Sequence, residues 1–344
     1  MQKNTSSYKV STKSFMPYSL KRTLDAIAHD PDLRDLQLSA ACLAALKQVA
    51  ADYPLLAARE MIDLAFLREH RRETVGRTML LRNGVLGAVP DAVTRMPNLF
   101  QQSLAESNGK PFAFDGRRLR TLHFDGRSIQ SAMWLAAPDL LALQYTKMMM
   151  GFLLFHPAPR HILMVGLGGG SLAKYCYQFL PTTRITVIEI DPDVIALRRQ
   201  FLVPDDDDRL SIVCADALDY IATAEADVDI VMLDGFDAQG MVEALSTRSF
   251  FQDCARLLNP GGVLVMNLWG HSTDNAVSIT ELDRLFHGQV WWDTAIDSGN
   301  LVIFAVNCPR HSHDAQSLRS RAVGLDARFA LQLNKLAAGL LKYS

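Results

Sequence analysis

The sequence predicts an α/β protein built on a doubly wound, mostly parallel sheet, and three observations carry that expectation. After the breaker Pro157-Ala158-Pro159, apolar runs at residues 161–166, 184–190, 210–214, 228–234 and 262–268 alternate with amphipathic stretches such as 171–180 and 191–202. Continuous apolar strands separated by helices are the pattern of a sheet covered on both faces. The first of these runs ends in a glycine-rich turn that opens a helix, where the absence of side chains lets the backbone approach a ligand closely. The last two runs, 289–294 and 301–306, are joined through Asp297-Ser298-Gly299-Asn300. That link is too short for a parallel crossover, so an antiparallel pair is expected at one edge.

The elements before the sheet follow from local signals. Residues 1–20 are polar and rich in Ser, Thr and Lys, as in an arm. From Leu24 to about His70 apolar residues recur at helical spacing (Leu36, Leu38, Ala41, Leu43, Leu46, Val49), interrupted at Asp30-Pro31 and Pro54. Residues 1–105 are therefore expected to form an N-terminal helical extension of two or three helices. In 106–157, Asp115-Gly116 and Asp125-Gly126 are turn signals around Leu119, Leu122 and Phe124, which predicts a small β-hairpin unit. A connecting helix over 140–155 follows and stops at the Pro-Ala-Pro breaker. The sheet domain is expected over 158–310, and 311–344 should close the chain with an amphipathic C-terminal helix.

Composition narrows the functional classes. The 344 residues are 49% hydrophobic and 21% charged, enough to bury a core. With 35 basic and 37 acidic side chains the formal charge is −2, which gives no field to gather nucleic acid or an anionic membrane. The longest apolar run, 148–155, falls short of the ~18–20 residues of a membrane span. The opening Met1-Gln2-Lys3-Asn4-Thr5-Ser6-Ser7 also lacks the apolar stretch of a secretory signal. Five scattered cysteines (Cys42, Cys176, Cys214, Cys254, Cys308) with no CxxC fit reduced thiols, so a cytoplasmic location without disulfides is expected.

Chemistry concentrates at strand ends. Gly166, Gly168 and Gly170, followed by Ser171, form the glycine turn, and Glu189 lies at the end of the second sheet strand. A carboxylate there can accept both hydroxyl hydrogens of a ribose, so the pair points to a nucleoside; tight strand–helix packing beside a solvated Glu is the alternative. Asp191-Pro192 suits an N-cap with proline at the first helical position. Asp216, with Ala217, follows the third strand, where a carboxylate can accept the amine of an adenine. Asp234 follows the fourth, with Asp237 shortly after. Acidic groups ending apolar strands are costly unless used or paired, although both Asp216 and Asp234 can be read as helix caps. Other features have bland readings: Met148-Met149-Met150 as packing, Cys176 and Cys214 as small buried side chains, Asp205–Asp208 as a solvated loop, and His311-Ser312-His313 as a polar linker. Trp291 and Trp292 should alternate, one toward the core and one toward the cleft. Ser128 and Ser131 lack the setting of a catalytic nucleophile.

Taken in order, GLGGGS, VIEIDPDV, CADALDYI, DIVMLDGFD and LNPGGVLVMNLW resemble the Rossmann-like domain of class I methyltransferase type, used by S-adenosylmethionine-dependent transferases. Within that superfamily the resemblance is to the spermidine synthase, or polyamine aminopropyltransferase, branch. The preceding Leu122-His123-Phe124-Asp125-Gly126-Arg127-Ser128-Ile129-Gln130 is similar to that family's strand with a cofactor-facing glutamine, so the likeness runs over about 118–306. It implies a cofactor loop at Gly166, Gly168, Gly170 and Ser171, ribose binding by Glu189, adenine contacts from Asp216 and Ala217, and Gln130 near the nucleoside. It also implies catalysis by Asp234, with Asp237 holding an amine substrate, and a homodimer.

The same resemblance exposes departures. Ser171 stands where the family has an aspartate that pairs with the ammonium of decarboxylated S-adenosylmethionine. Met133-Trp134-Leu135-Ala136-Ala137-Pro138-Asp139 and Tyr145-Thr146-Lys147 replace an acidic stretch, Ala238-Gln239-Gly240 replaces a Pro-containing loop, and Trp291-Trp292-Asp293 stands near a Tyr-Pro pair. A hydroxyl cannot compensate a buried ammonium as a carboxylate does. The expectation is therefore methyl transfer from intact S-adenosylmethionine to a small amine or hydroxyl acceptor. Aminopropyl transfer from decarboxylated S-adenosylmethionine to a diamine is the alternative, and a non-catalytic nucleoside-binding protein the second.

Overall fold

The computed structural model describes residues 99–126, 129–237, 240–269, 273–295, 298–308, 313–329 and 331–342. The expected N-terminal arm and helices up to residue 98 lie outside the described residues, as do Cys42, Ser128, His311 and Ser312. From Phe100 onward the chain forms one of two units into which it divides.

A sheet dominates this unit. Its strands are β4 (His161–Val165), β5 (Arg184–Glu189), β6 (Leu210–Cys214), β7 (Val228–Leu233), β10 (Leu258–Trp269), β11 (Val290–Thr294), β12 (Asn300–Val306) and β13 (Leu341–Lys342), in the spatial order β13-β11-β12-β10-β7-β4-β5-β6. The five strands from β10 to β6 in that order are parallel; β12 pairs antiparallel with β10 and, as the short 297–300 link requires, with β11. Successive side chains enter opposite cores: Ile162, Met164, Ile230 and Met232 join one cluster, Leu163, Val165, Val231 and Leu233 the other. Such burial on both faces is why these runs carry no polar alternation.

Helices cover the two faces. On the first lie α1 (Gln144–Met149) with a 3₁₀ turn at Met150–Leu154, α2 (Ser171–Phe179), α7 (Ala315–Phe329) and α8 (Leu333–Gly339). On the second lie α4 (Ala217–Thr223), α5 (Arg248–Leu257) and α6 (Thr273–Leu285). Met148, Met149 and Met150 are all buried in the first core. Segments 106–157 and 311–344 contribute to that same core, through Leu122 and Met133 and through Leu318 and Leu336.

Several expectations are corrected. The predicted hairpin is a three-stranded antiparallel sheet, β1 (Phe112–Asp115), β2 (Leu119–His123) and β3 (Ser131–Trp134). The third strand follows a turn signal but is only four residues long and lacks polar alternation, because it is buried against α2. Lys174, fully buried in α2, donates from Nζ to Phe201 O at 2.6 Å and to Met133 Sδ at 2.9 Å, tying the small sheet to α2 and to the turn at residue 201. Burial lowers its ammonium pKa to about 8. Phe100 packs on Phe112, Phe114 and His123 across the other side of the small sheet.

Helix lengths also differ. The helix expected over 140–155 is split by the 3₁₀ turn, and the one over 191–202 is regular only in α3 (Pro192–Ala196) before relaxing into turns. Asp191 caps it, accepting from Asp193 N at 2.8 Å, with Pro192 at the first position. The single C-terminal helix is two, separated where Gln332 adopts φ +61°. Cys214 is exposed at the sheet edge, whereas Cys176 is buried. Trp291 faces the first core, and Trp292 packs against the second core in place of the expected cleft. The acidic loop is exposed, with Asp206 paired to Arg198 at 2.6 Å. Among the described residues no helix is long and apolar enough to cross a membrane, and no cluster of three or more His, Cys, Asp or Glu side chains suits a metal.

At the far end of the sheet Asp229, 3% exposed, accepts from Arg160 N at 2.6 Å and Asn259 Nδ2 at 2.9 Å. Burial acts to raise its pKa, but these donors prevail and hold it below the usual carboxylate range. Its ionised form therefore stabilises the fold above the unfolded value of about 3.9, and that contribution is lost as pH falls through the lower folded value. Asp229→Ala is expected to cost about 3 kcal/mol in denaturant unfolding at pH 7, with most of that difference gone under strongly acidic conditions.

Candidate active site

The chain runs from β4 outward to β5 and β6, then returns past β4 to β7, so the sheet changes direction between β4 and β7. A crevice opens at the carboxyl ends of strands at such a point. Here the two strand ends touch. Asp234 N donates to Val165 O at 3.0 Å, and a Cβ on Gly166, whose φ is +94°, would collide with the Asp234 carbonyl oxygen. Gly170 caps α2 with φ +63°, where a side chain would meet Val203. The glycine turn is thus required twice, by its backbone conformation and by its neighbours.

The carboxylates predicted from sequence gather along this rim, one at each strand end. Glu189, at the end of β5, accepts from Leu167 N through Oε2 at 2.8 Å and from Asp191 N through Oε1 at 2.9 Å. Each oxygen retains a lone pair, so the group can still receive two hydroxyl hydrogens. Asp216, beyond β6, caps α4 by accepting from Leu218 N through Oδ1 at 2.8 Å, while Ala217 is the buried first residue of that helix. The capping alternative is thus realised for Asp216, with its second oxygen outside that bond.

Ser171 turns away from the rim. Its hydroxyl donates to Ala132 O at 3.2 Å and lies 3.4 Å from Ser131 Oγ, so the helix start is sewn to β3. Gln130 immediately precedes β3, its backbone N–H donating to Leu122 O at 2.9 Å. A Cβ on Gly169 would come within 2.8 Å of Ser131 Oγ. The small sheet therefore forms one wall beside the glycine turn.

Asp234 caps no helix. Asn267 Nδ2, from β10, donates to its Oδ1 at 2.8 Å, and Tyr145 OH, from α1, donates to its Oδ2 at 3.4 Å. No cation pairs with it among the described residues. Burial dominates and raises its pKa to about 6, against the lowering effect of the two donors. Tyr145 is itself pushed well above its ordinary value by burial and by the Asp234 charge, so it remains a donor at neutral pH. Asp237 lies in β8 (Phe236–Asp237), paired in register with Gly240 of β9 (Gly240–Met241).

Sequence reading did not assign Tyr145 and Asn267 to the site. Tyr145 stood out only as part of a departure from a family pattern. Asn267 carried a usable signal, since an amide inside the apolar run Val263-Leu264-Val265-Met266-Asn267-Leu268 is costly unless paired. A half-buried carboxylate with a pKa near neutrality and two fixed donors can take a proton from, or hold, an approaching amine.

Known proteins resemble this chain in sequence and in fold. A family model described as spermine/spermidine synthase domain matches residues 142–287. A polyamine aminopropyltransferase of Chromobacterium violaceum is 38% identical over 218 residues, covering 63% of this chain and 84% of that protein. One from Neisseria meningitidis serogroup A is 35% identical over 224 residues, covering 64% and 85%. In structure, a probable spermidine synthase from Corynebacterium glutamicum aligns with a TM-score of 0.53 at 20% identity, over 67% of this chain and 90% of that one; this likeness concerns the fold. The named relatives favour aminopropyl transfer over the methyl transfer put first from sequence. Relatives named for a transferase activity also set aside the non-catalytic reading.

The electrostatics of Asp234 have a measurable sign. Between about pH 4 and 6 the folded carboxyl keeps a proton that the unfolded chain has released, so its contribution to stability falls as pH rises through that window. Carbon-13 NMR of labelled aspartate should show one carboxyl titrating near pH 6, absent in Asp234→Asn. Tyr145→Phe removes a donor to the ionised form and should move that titration upward.

Proposed function

The chain belongs to the spermine/spermidine synthase family, and from that membership we propose that it transfers an aminopropyl group from decarboxylated S-adenosylmethionine to a diamine. The observation that carries this reading is the Asp234 carboxylate at the crevice, half-buried, without a cationic partner among the described residues, and held by Asn267 and Tyr145. An amine nucleophile needs such a group to orient its lone pair and receive its proton. Asp237 is the second carboxylate of that loop, for the amine substrate.

The residues along the rim suit the nucleoside half. Glu189 would accept from the ribose hydroxyls, Asp216 and Ala217 would meet the adenine, and the turn Gly166, Gly168 and Gly170 would let the backbone lie against the ligand, with Gln130 on the β3 wall that Ser171 fastens to α2. The sulfonium supplies the electrophilic carbon when bound. The protein's task is then to align the amine and exclude water. The new C–N bond forms as the C–S bond breaks, methylthioadenosine leaves, and the ammonium proton passes to Asp234. Homodimer assembly and a cytoplasmic location belong to the same reading.

Incubation with decarboxylated S-adenosylmethionine and putrescine is expected to release methylthioadenosine with formation of spermidine. Asp234→Asn should lower that rate by about 10²–10⁴-fold. Methyl transfer from intact S-adenosylmethionine, with the decarboxylated form inert, would overturn the proposal.

A further inference from the structure

A polar chain behind Asp234 reaches the opposite side of β10. Asn300, the first residue of β12, donates from Nδ2 to Asn267 Oδ1 at 3.0 Å, and Asn267 in turn donates to Asp234 at 2.8 Å. Both asparagines are buried, at 7% and 1% exposure. Asn300 is itself fixed by the β11–β12 turn, where its carbonyl accepts from Ala295 N at 2.7 Å and Gly299 takes φ +74°. It stands opposite Trp269 in the β10–β12 ladder, two residues beyond Asn267 toward the rim.

An amide can offer either its NH2 or its oxygen in one place. By donating to the Asn267 oxygen, Asn300 leaves only the NH2 end of Asn267 for Asp234. The reverse orientation would set a carbonyl oxygen against a carboxylate and leave buried donors unpaired, which is costly. We infer that Asn300 is a positioning residue that holds the Asn267 amide with its donor toward the Asp234 carboxylate, so that the β11–β12 turn governs the proton affinity of the base. The inference rests on the reading of Asp234 as the base of the proposed reaction. Among the described residues the groups bonded to Asp234 through side chains are Asn267 from β10 and Tyr145 from α1, so a change at Asn300 reaches it through Asn267.

The test compares Asn300→Leu, Asn267→Leu and the double variant in the full chain, each first checked for a cooperative thermal transition. Where Leu at 300 fails to fold, Asn300→Ala makes the same comparison. In carbon-13 NMR, loss of the Asn300 donor is expected to raise the Asp234 titration by about half a unit or more. In the Asn267→Leu background the same substitution should add nothing, because its route is gone. Correspondingly, methylthioadenosine release at pH 6 should fall roughly twofold or more, and approach the unsubstituted rate at pH 8. A smaller NMR shift, or an equal shift in both backgrounds, would overturn the inference. Absence of methylthioadenosine release by the unsubstituted chain would instead overturn the proposed reaction and leave the NMR comparison to decide the role of Asn300.

Discussion

The contact between the ends of β4 and β7 is the constraint on which the rest of the site depends. Gly166 lies so close to the backbone of Asp234 that no side chain fits between them, and the Asp234 N–H closes on Val165 O at 3.0 Å. This approach brings a nucleoside-type glycine turn and a half-buried carboxylate to adjacent points on one rim. A larger residue at 166 would push the strands apart where the reacting groups must meet. The sheet order enforces the arrangement, since only the reversal between β4 and β7 opens a crevice beside that contact.

Around it, the protein treats its acidic side chains differently according to what surrounds them. Glu189 is stabilised by two backbone N–H groups and bridges the glycine turn to the start of α3. Asp216 spends one oxygen on a helix cap. Asp229, at the opposite end of the sheet, is held ionised by donors from the backbone and Asn259. In Asp234, unlike Asp229, desolvation is the winning effect, and its pKa is raised to about 6. A purely structural carboxylate gains from being tied down as an anion, whereas one near neutrality can exchange a proton with an incoming amine.

The apparent losses relative to family pattern look different in the folded chain. Ser171, read as a missing charge partner, binds the Ala132 carbonyl and joins the first turn of α2 to the small sheet. Lys174, one helical turn on, does the same from deeper in the core. Tyr145, set within a stretch that differs from the family's acidic one, reaches Asp234. Residues that departed from a motif in one dimension thus serve the same wall and the same carboxylate in three.

By itself the sequence determined the α/β class, the parallel strands from β4 to β7, the antiparallel edge pair and the carboxylates at strand ends, because each rests on local patterns: continuous apolar runs, glycine turns and short links. It also made Asp191 legible as a cap, through the adjacent Pro192. Only the tertiary structure decided that β3 joins the small sheet, that Cys214 is exposed, and that the 311–344 segment bends at Gln332. It alone decided too that Asn267 and Tyr145 converge on Asp234 and that Asn300 stands behind Asn267. Those groups come from β10, β12 and α1, whose approach is set by strand order and packing on one face of the sheet, and no spacing along the chain encodes a distance between side chains that only folding brings together.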